Sequence, residues 1–304
     1  MERVWGGREF ADRLGRELPG DQPVGESWEI VDREEAQSVV AGGPLEGKTL
    51  HELWTQHRAE IFGPRHAKAG PRFPLLCKLL DARDRLSVQV HPPAAIAPQL
   101  GGEPKPEMWY FLACDPGSRI YAGLAPGTTR GSFEAALHDG TVEKCLHVLP
   151  TRAGDSIFIP SGRLHAIGEG NVIVEIQQNS DTTYRVFDWN RAGLDGKPRA
   201  LHVEESLVST DFGDFAPPLS HADSGELAAC GHFRVEKRQI DHPTALHASG
   251  DFAIITVVAG EARCGDEIFK AGDFYLLAAG GAPYTAPHGG GSCTVLISTI
   301  PHAE

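Results

Sequence analysis

The sequence predicts a mainly β protein built from two small β-barrels in tandem, with a few helices near the N-terminal part. Three observations lead there. Short Val/Ile/Leu/Phe runs, several with period-two alternation, recur from Phe73 onward. Glycine (35) and proline (22) are abundant enough in 304 residues to separate many strands by tight turns. One stretch also recurs: Ala153-Gly154-Asp155-Ser-Ile-Phe-Ile-Pro160-Ser-Gly162 returns as Ala271-Gly272-Asp273-Phe-Tyr-Leu-Leu-Ala278-Ala-Gly280. Both copies are a Gly-Asp turn, a four-residue apolar strand and a small-residue turn ending in Gly, as tandem barrels require.

In chain order, 36–47 is Gly-rich and loop-like, while 49–61 places Leu50, Leu53 and Trp54 at helical spacing. Strands are expected at 75–80 and 86–91. Alternation in the second puts Ser87, Gln89 and His91 on one face and Leu86, Val88 and Val90 on the other. Further strands fall at 108–113, 145–149, 156–159, 172–177 and 184–188, with a helix at 133–138. Residues 209–225 read as a linker. Strand texture resumes at 233–240, 252–259, 264–269, 274–277 and 293–299. The division is therefore a domain over 1–215 carrying the chemistry and a C-terminal barrel over 216–304. Three residues past its closing glycine the first copy of the repeat has His165, and the second has Pro283. The second barrel is expected to lack metal ligands and to be structural.

Composition excludes some partners. The formal net charge of −13 argues against nucleic acid and anionic membranes, both of which need Lys/Arg-rich faces. It leaves room for a local basic pocket holding a small anionic ligand. The N-terminus has no apolar signal core, and no run reaches the ~18 apolar residues of a membrane span. The six cysteines are scattered without a CxxC pair and read as reduced thiols, with the cytoplasm as the expected location.

Chemistry concentrates in three residues. His91 ends an alternating strand, Glu107 stands at the mouth of another, and His165 follows the turn at 160–164. Two imidazoles and a carboxylate match a catalytic zinc site, where three protein ligands leave a position open. Gln89 is a candidate fourth, neutral ligand. No cysteine is near, so a closed structural zinc site is not expected, while iron would suit the same donors. With 14 histidines in the chain, chance pairs are common; His51, His57, His138, His221 and His302 have no supporting pattern and read as surface or structural.

The stretch from Gly154 to His165 resembles the second conserved motif of the cupin superfamily. Longer segments are more specific. Phe73-Pro-Leu-Leu-Cys-Lys78 through Ser87-Val-Gln89-Val-His91-Pro92, Lys105-Pro-Glu107-Met-Trp-Tyr, Pro160-Ser-Gly-Arg-Leu-His165, and Glu175 through Arg185 to Arg191 resemble type I mannose-6-phosphate isomerases of the short bacterial form. Gly25-Glu26-Ser27-Trp28-Glu29 is similar to that family's N-terminal segment. The resemblance spans about residues 1–205. It implies cupin-type jelly-roll barrels and one Zn2+ per chain on His91, Glu107 and His165, with Gln89 a ligand in some members. It implies Arg185 as the catalytic arginine, Ser87 and Lys105 at the substrate's phosphate end, and a small sugar phosphate as the partner. Two segments depart from the pattern: Pro93-Ala94-Ala95, where many members are acidic, and the loop at 101–104.

The implied reaction interconverts mannose 6-phosphate and fructose 6-phosphate through a cis-enediol. A metal holding O1 and O2 would stabilise the negative charge that builds as the C–H proton leaves. Arg185, permanently charged and donor-only, suits that charge and is a poor proton carrier. The base is left open among Glu175, Lys78 and a water held by the metal; Glu175 could instead orient a histidine ligand. The alternatives are a non-catalytic sugar-binding metallo-cupin and another metal-dependent cupin enzyme, such as an iron dioxygenase.

Overall fold

A computed structural model describes residues 1–281 and 284–301; Pro283 and His302 lie outside the described residues. Strands hold 38% of the chain and helices 14%, so the fold is mainly β. Two compact units partition the chain. One comprises Met1–Ser27, Leu79–Glu175 and Ser180–His221; the other comprises Trp28–Lys78, Ile176–Asn179 and Ala222–Glu304.

Two five-stranded sheets carry the candidate site. The first has the order Ser156–Ile159, Glu107–Cys114, Asn171–Gln178, Leu75–Ala82, Glu26–Ile30. The second has the order Tyr184–Phe187, Val88–Val90, His165–Ile167, Arg119–Leu124, Leu146–Pro150. Trp109, Phe111, Ile157, Ile159 and Ile173 from the first sheet pack with Ile120, Ala122 and Ile167 from the second in one buried cluster. The sheets therefore lie face to face, and alternation fixes what else points between them. His165 shares the face of Ile167, and Glu107 that of Trp109 and Phe111. The sheets stay open, so the expected barrels are not closed.

On the outer face of the second sheet, Val88, Val90, Ala166 and Val186 pack in one cluster with Phe133 and Ala136 of the helix Arg130–Asp139. That helix starts at Thr129, whose hydroxyl accepts from Ser132 N in a capping box, and stops at Gly140 (φ 70°). Leu86 departs from expectation. The strand begins only at Val88, and Leu86 joins the cluster between the sheets instead of sharing a face with Val88 and Val90.

In the other unit, Thr49 caps the helix Leu50–Gln56 with Glu52 in a capping box, and Leu53 and Trp54 are buried as their spacing predicts. A second sheet pair shares a core of Ile255, Val257, Val295, Ile297, Ala262 and Tyr275. The single strand expected at 264–269 is instead a hairpin, Glu261–Cys264 with Glu267–Lys270. Gly265 (φ 61°) supplies the left-handed turn residue. Among the described residues no helix is long and apolar enough to cross a membrane.

The internal repeat is physical. Gly154 (φ 94°) and Gly272 (φ 93°) hold the same turn. Asp155 Oδ2 accepts from Arg152 N, and Asp273 Oδ2 accepts from Lys270 N. The following strands pair Ile159 with Glu107 and Leu277 with Ala253. Ala253 thus stands at the register position of Glu107 and offers no ligand atom.

Candidate metal centre

One loop ties together the three segments that carry His91, Glu107 and His165. Gly162, at φ 95°, donates its N–H to the His91 carbonyl (2.8 Å). Ser161 Oγ accepts from Lys105 N (2.9 Å), two residues before Glu107. The Arg163 carbonyl accepts from His165 Nδ1 (2.8 Å). Arg163 is itself pinned by a two-pronged bond to Asp214 (Nε–Oδ2 2.7 Å, Nη2–Oδ1 2.9 Å). The positive φ at Gly162 is what lets this turn reach back to His91.

His91, Glu107 and His165 are brought together as the sequence predicts, with ligand atoms all within 4.8 Å of one another and all three side chains buried. His91 Nε2 lies 3.4 Å from Glu107 Oε2, and His165 Nε2 lies 3.5 Å from Glu107 Oε1. His91 Nδ1 meets the Thr182 carbonyl at 2.8 Å, as His165 Nδ1 meets that of Arg163. A carbonyl can only accept, so each Nδ1 carries the proton and each Nε2 turns a lone pair inward. Burial, and next the charge of Lys105, lowers the His91 pKa; burial lowers that of His165 to about 3. Burial opposes ionisation of Glu107, yet the charge of Lys105 beside it holds it well below the usual carboxylate range. Neutral imidazoles and an anionic carboxylate, whose two buried oxygens accept no hydrogen bond, form a donor set that fits a divalent cation. Such a set of converging lone pairs is repulsive without a cation.

Gln89 joins this row. It pairs in register with His165 on one side and Arg185 on the other, so the three side chains point the same way. Gln89 Nε2 is 3.3 Å from His165 Nε2. Arg185 Nε donates to Ser87 Oγ (3.2 Å), and Nη1 donates to the Ala200 carbonyl (2.9 Å). Burial, and then Arg199, lowers the Arg185 pKa while Asp188 opposes them; a guanidinium remains charged.

The remaining candidates are spread more widely. Lys105 sits at the triad, its Nζ 3.0 Å from Glu107 Oε2. Burial opposes its charge, but Glu107 and Glu175 raise its pKa above the ordinary lysine value. Glu175 accepts from Trp109 Nε1 (3.2 Å), and the Trp109 ring meets the His165 ring edge-on at 5.4 Å. Lys78 lies buried on Leu75–Ala82 with its ammonium 5.1 Å from the Trp28 ring. Sequence reasoning did not find Thr182, Ser161 and Asp214. Thr182 acts through its backbone carbonyl, and Ser161 and Asp214 act as loop ties, which no motif records. His51 pairs with Asp32 and His221 with Asp155, and neither histidine belongs to the metal-binding group.

Fold and site together define a cupin-type protein with a buried His/Glu/His cluster able to hold a metal. Residues 1–109 match the family model described as phosphomannose isomerase type I, catalytic domain. The chain is 37% identical over 291 residues to the mannose-6-phosphate isomerase ManA of Bacillus subtilis (strain 168), spanning 91% of this chain and 90% of that one. It is 36% identical over 269 residues to the mannose-6-phosphate isomerase of Streptococcus mutans, spanning 86% and 83%. The crystal structure of a Bacillus subtilis mannose 6-phosphate isomerase matches with a TM-score of 0.83 at 32% identity, covering 99% of this chain and 97% of that one. The chain belongs to the type I phosphomannose isomerase family.

Proposed function

We propose that this chain interconverts mannose 6-phosphate and fructose 6-phosphate through a cis-enediol, with one zinc ion held by His91, Glu107 and His165. Family membership supports the reaction. The observation that carries the site is the buried triad, whose Nε2 lone pairs and carboxylate converge with both Nδ1 protons committed to backbone carbonyls. A bound zinc would supply Lewis-acid polarisation of the sugar's carbonyl oxygen. Gln89, beside His165, is the natural fourth ligand.

The chain's own groups do the rest. Arg185, aligned with Gln89 and His165 across three strands, aims fixed positive charge at the oxygens that gain charge as the C2 proton leaves. Ser87 holds Arg185 Nε and so fixes its fork. Lys105, at the triad, contacts the anionic substrate. The base removes the proton from C2 of the aldose and returns it to C1, while a second proton passes from O2 to O1. Glu175 and Lys78 are the side-chain candidates. We assign the chemistry to 1–215 and a structural role to 216–304, where Ala253 replaces Glu107. Six free cysteines are consistent with a reducing compartment, supporting a cytoplasmic location.

Running the reaction in D2O tests the enediol. Deuterium at C1 of the fructose product, or at C2 of mannose in the reverse direction, is expected. Complete carry-over of the substrate's own hydrogen under prolonged turnover would point to a hydride shift. A sugar-binding metallo-cupin without activity would give no labelled product at all.

A further inference from the structure

Two of the atoms that would ligate the metal already face a cation. Lys105 Nζ lies 3.0 Å from Glu107 Oε2 and 3.5 Å from His91 Nε2, and the lysine side chain is buried with them. Its placement is built in, because Lys105 N is tied to Ser161 Oγ in the loop that also sets His165 (2.9 Å). Two consequences follow from elementary electrostatics. A carboxylate buried at 0% exposure with no hydrogen bond to either oxygen is costly unless a positive charge stands beside it, and Lys105 is that charge when no metal is bound. A divalent ion sharing Glu107 Oε2 with an ammonium then meets like-charge repulsion at short range in a medium that screens poorly.

We propose that Lys105 is a resident counter-cation of the metal cage: it keeps His91, Glu107 and His165 assembled without metal and weakens the cage's hold on a divalent ion, making the metal exchangeable. The proposal rests on the triad being the metal site. It goes beyond any role of Lys105 toward substrate, because it concerns the protein before substrate arrives.

Zinc affinity tests it. Wild-type, Lys105→Met and Lys105→Gln proteins would be stripped with chelator and titrated with zinc against a competing chromophoric chelator, and melting would be followed with and without zinc. Both neutral variants should bind zinc about tenfold or more tightly than wild type. Their stripped forms should melt lower than stripped wild type, with the gap closing once zinc is added. Variants that fold only with zinc would agree, since the ion then replaces the lysine's charge. Unchanged or weaker zinc binding in both variants would overturn the proposal, as would failure of both to fold even in saturating zinc. If wild type itself bound no zinc, the triad assignment would fail instead, and the two results cannot be confused.

Discussion

The Glu175 carboxylate accepts a hydrogen bond from Trp109 Nε1 at 3.2 Å, and Trp109 in turn meets the His165 ring edge-on. A carboxylate engaged in this way is placed to hold the wall behind the His165 ring. Glutamine keeps an acceptor for the indole but cannot act as a base. Glu175→Gln should therefore retain kcat within about tenfold, whereas Glu175→Ala should lose more, through loss of the bond. Steady-state rates at full zinc occupancy decide it. A fall of about 100-fold or more in Glu175→Gln would make Glu175 the base.

Arg185 is predicted to act through charge and fork geometry. Arg185→Ala should lower kcat by about 10²–10³-fold, the range for removing a donor to developing negative charge. Arg185→Lys should recover little, because one compact ammonium cannot reproduce the separate Nε and Nη1 donors that reach Ser87 and the Ala200 carbonyl from a planar fork. Zinc content by atomic emission should stay at wild-type level in both. Loss of zinc would mean that the arginine supports the cage and not the reaction.

Much of this arrangement was legible in the sequence. The triad was visible because its flanking segments are long and ordered, and the repeat because a Gly-Asp turn needs both a positive φ and a carboxylate cap. The strand Arg119–Leu124 was not read, since Gly123 and a leading arginine break its alternation, although Ala122 on it lies directly opposite His165. Lys105 was read as a phosphate-end residue; only the folded chain places its ammonium on Glu107. Strand–loop–strand geometry, which composition does not encode, brings those atoms together.

A side chain at Gly162 should carry a backbone penalty and not a steric one. An added Cβ would meet nothing closer than Pro93 Cγ at 3.4 Å, so strain at φ 95° is the penalty. Gly162→Ala should cost about 1–2 kcal/mol of stability, and it should weaken zinc binding because the N–H bond to His91 shifts. Chemical denaturation measures the first effect and chelator competition the second. An unchanged zinc affinity would separate the loop from the cage.

Asp81 offers a pH signature away from the triad. Burial raises its pKa to about 6, against the bond it accepts from Glu9 N. A raised carboxyl pKa means the folded state binds more protons than the unfolded one between about 4 and 6. Its ionisation therefore lowers stability as pH rises through that window. Relative to wild type, Asp81→Asn should gain melting temperature between pH 4 and pH 6.5. A difference independent of pH would refute the ionisation argument.

The central claim is that a zinc-loaded His91/Glu107/His165 site isomerises a hexose 6-phosphate. The most direct measurement strips the protein with chelator, restores one zinc per chain, and follows fructose 6-phosphate formed from mannose 6-phosphate in a coupled assay. Activity should vanish on stripping, return in proportion to zinc bound, and be absent from His165→Ala, which should hold no zinc. A protein holding one zinc per chain that turns over no hexose 6-phosphate would contradict the account.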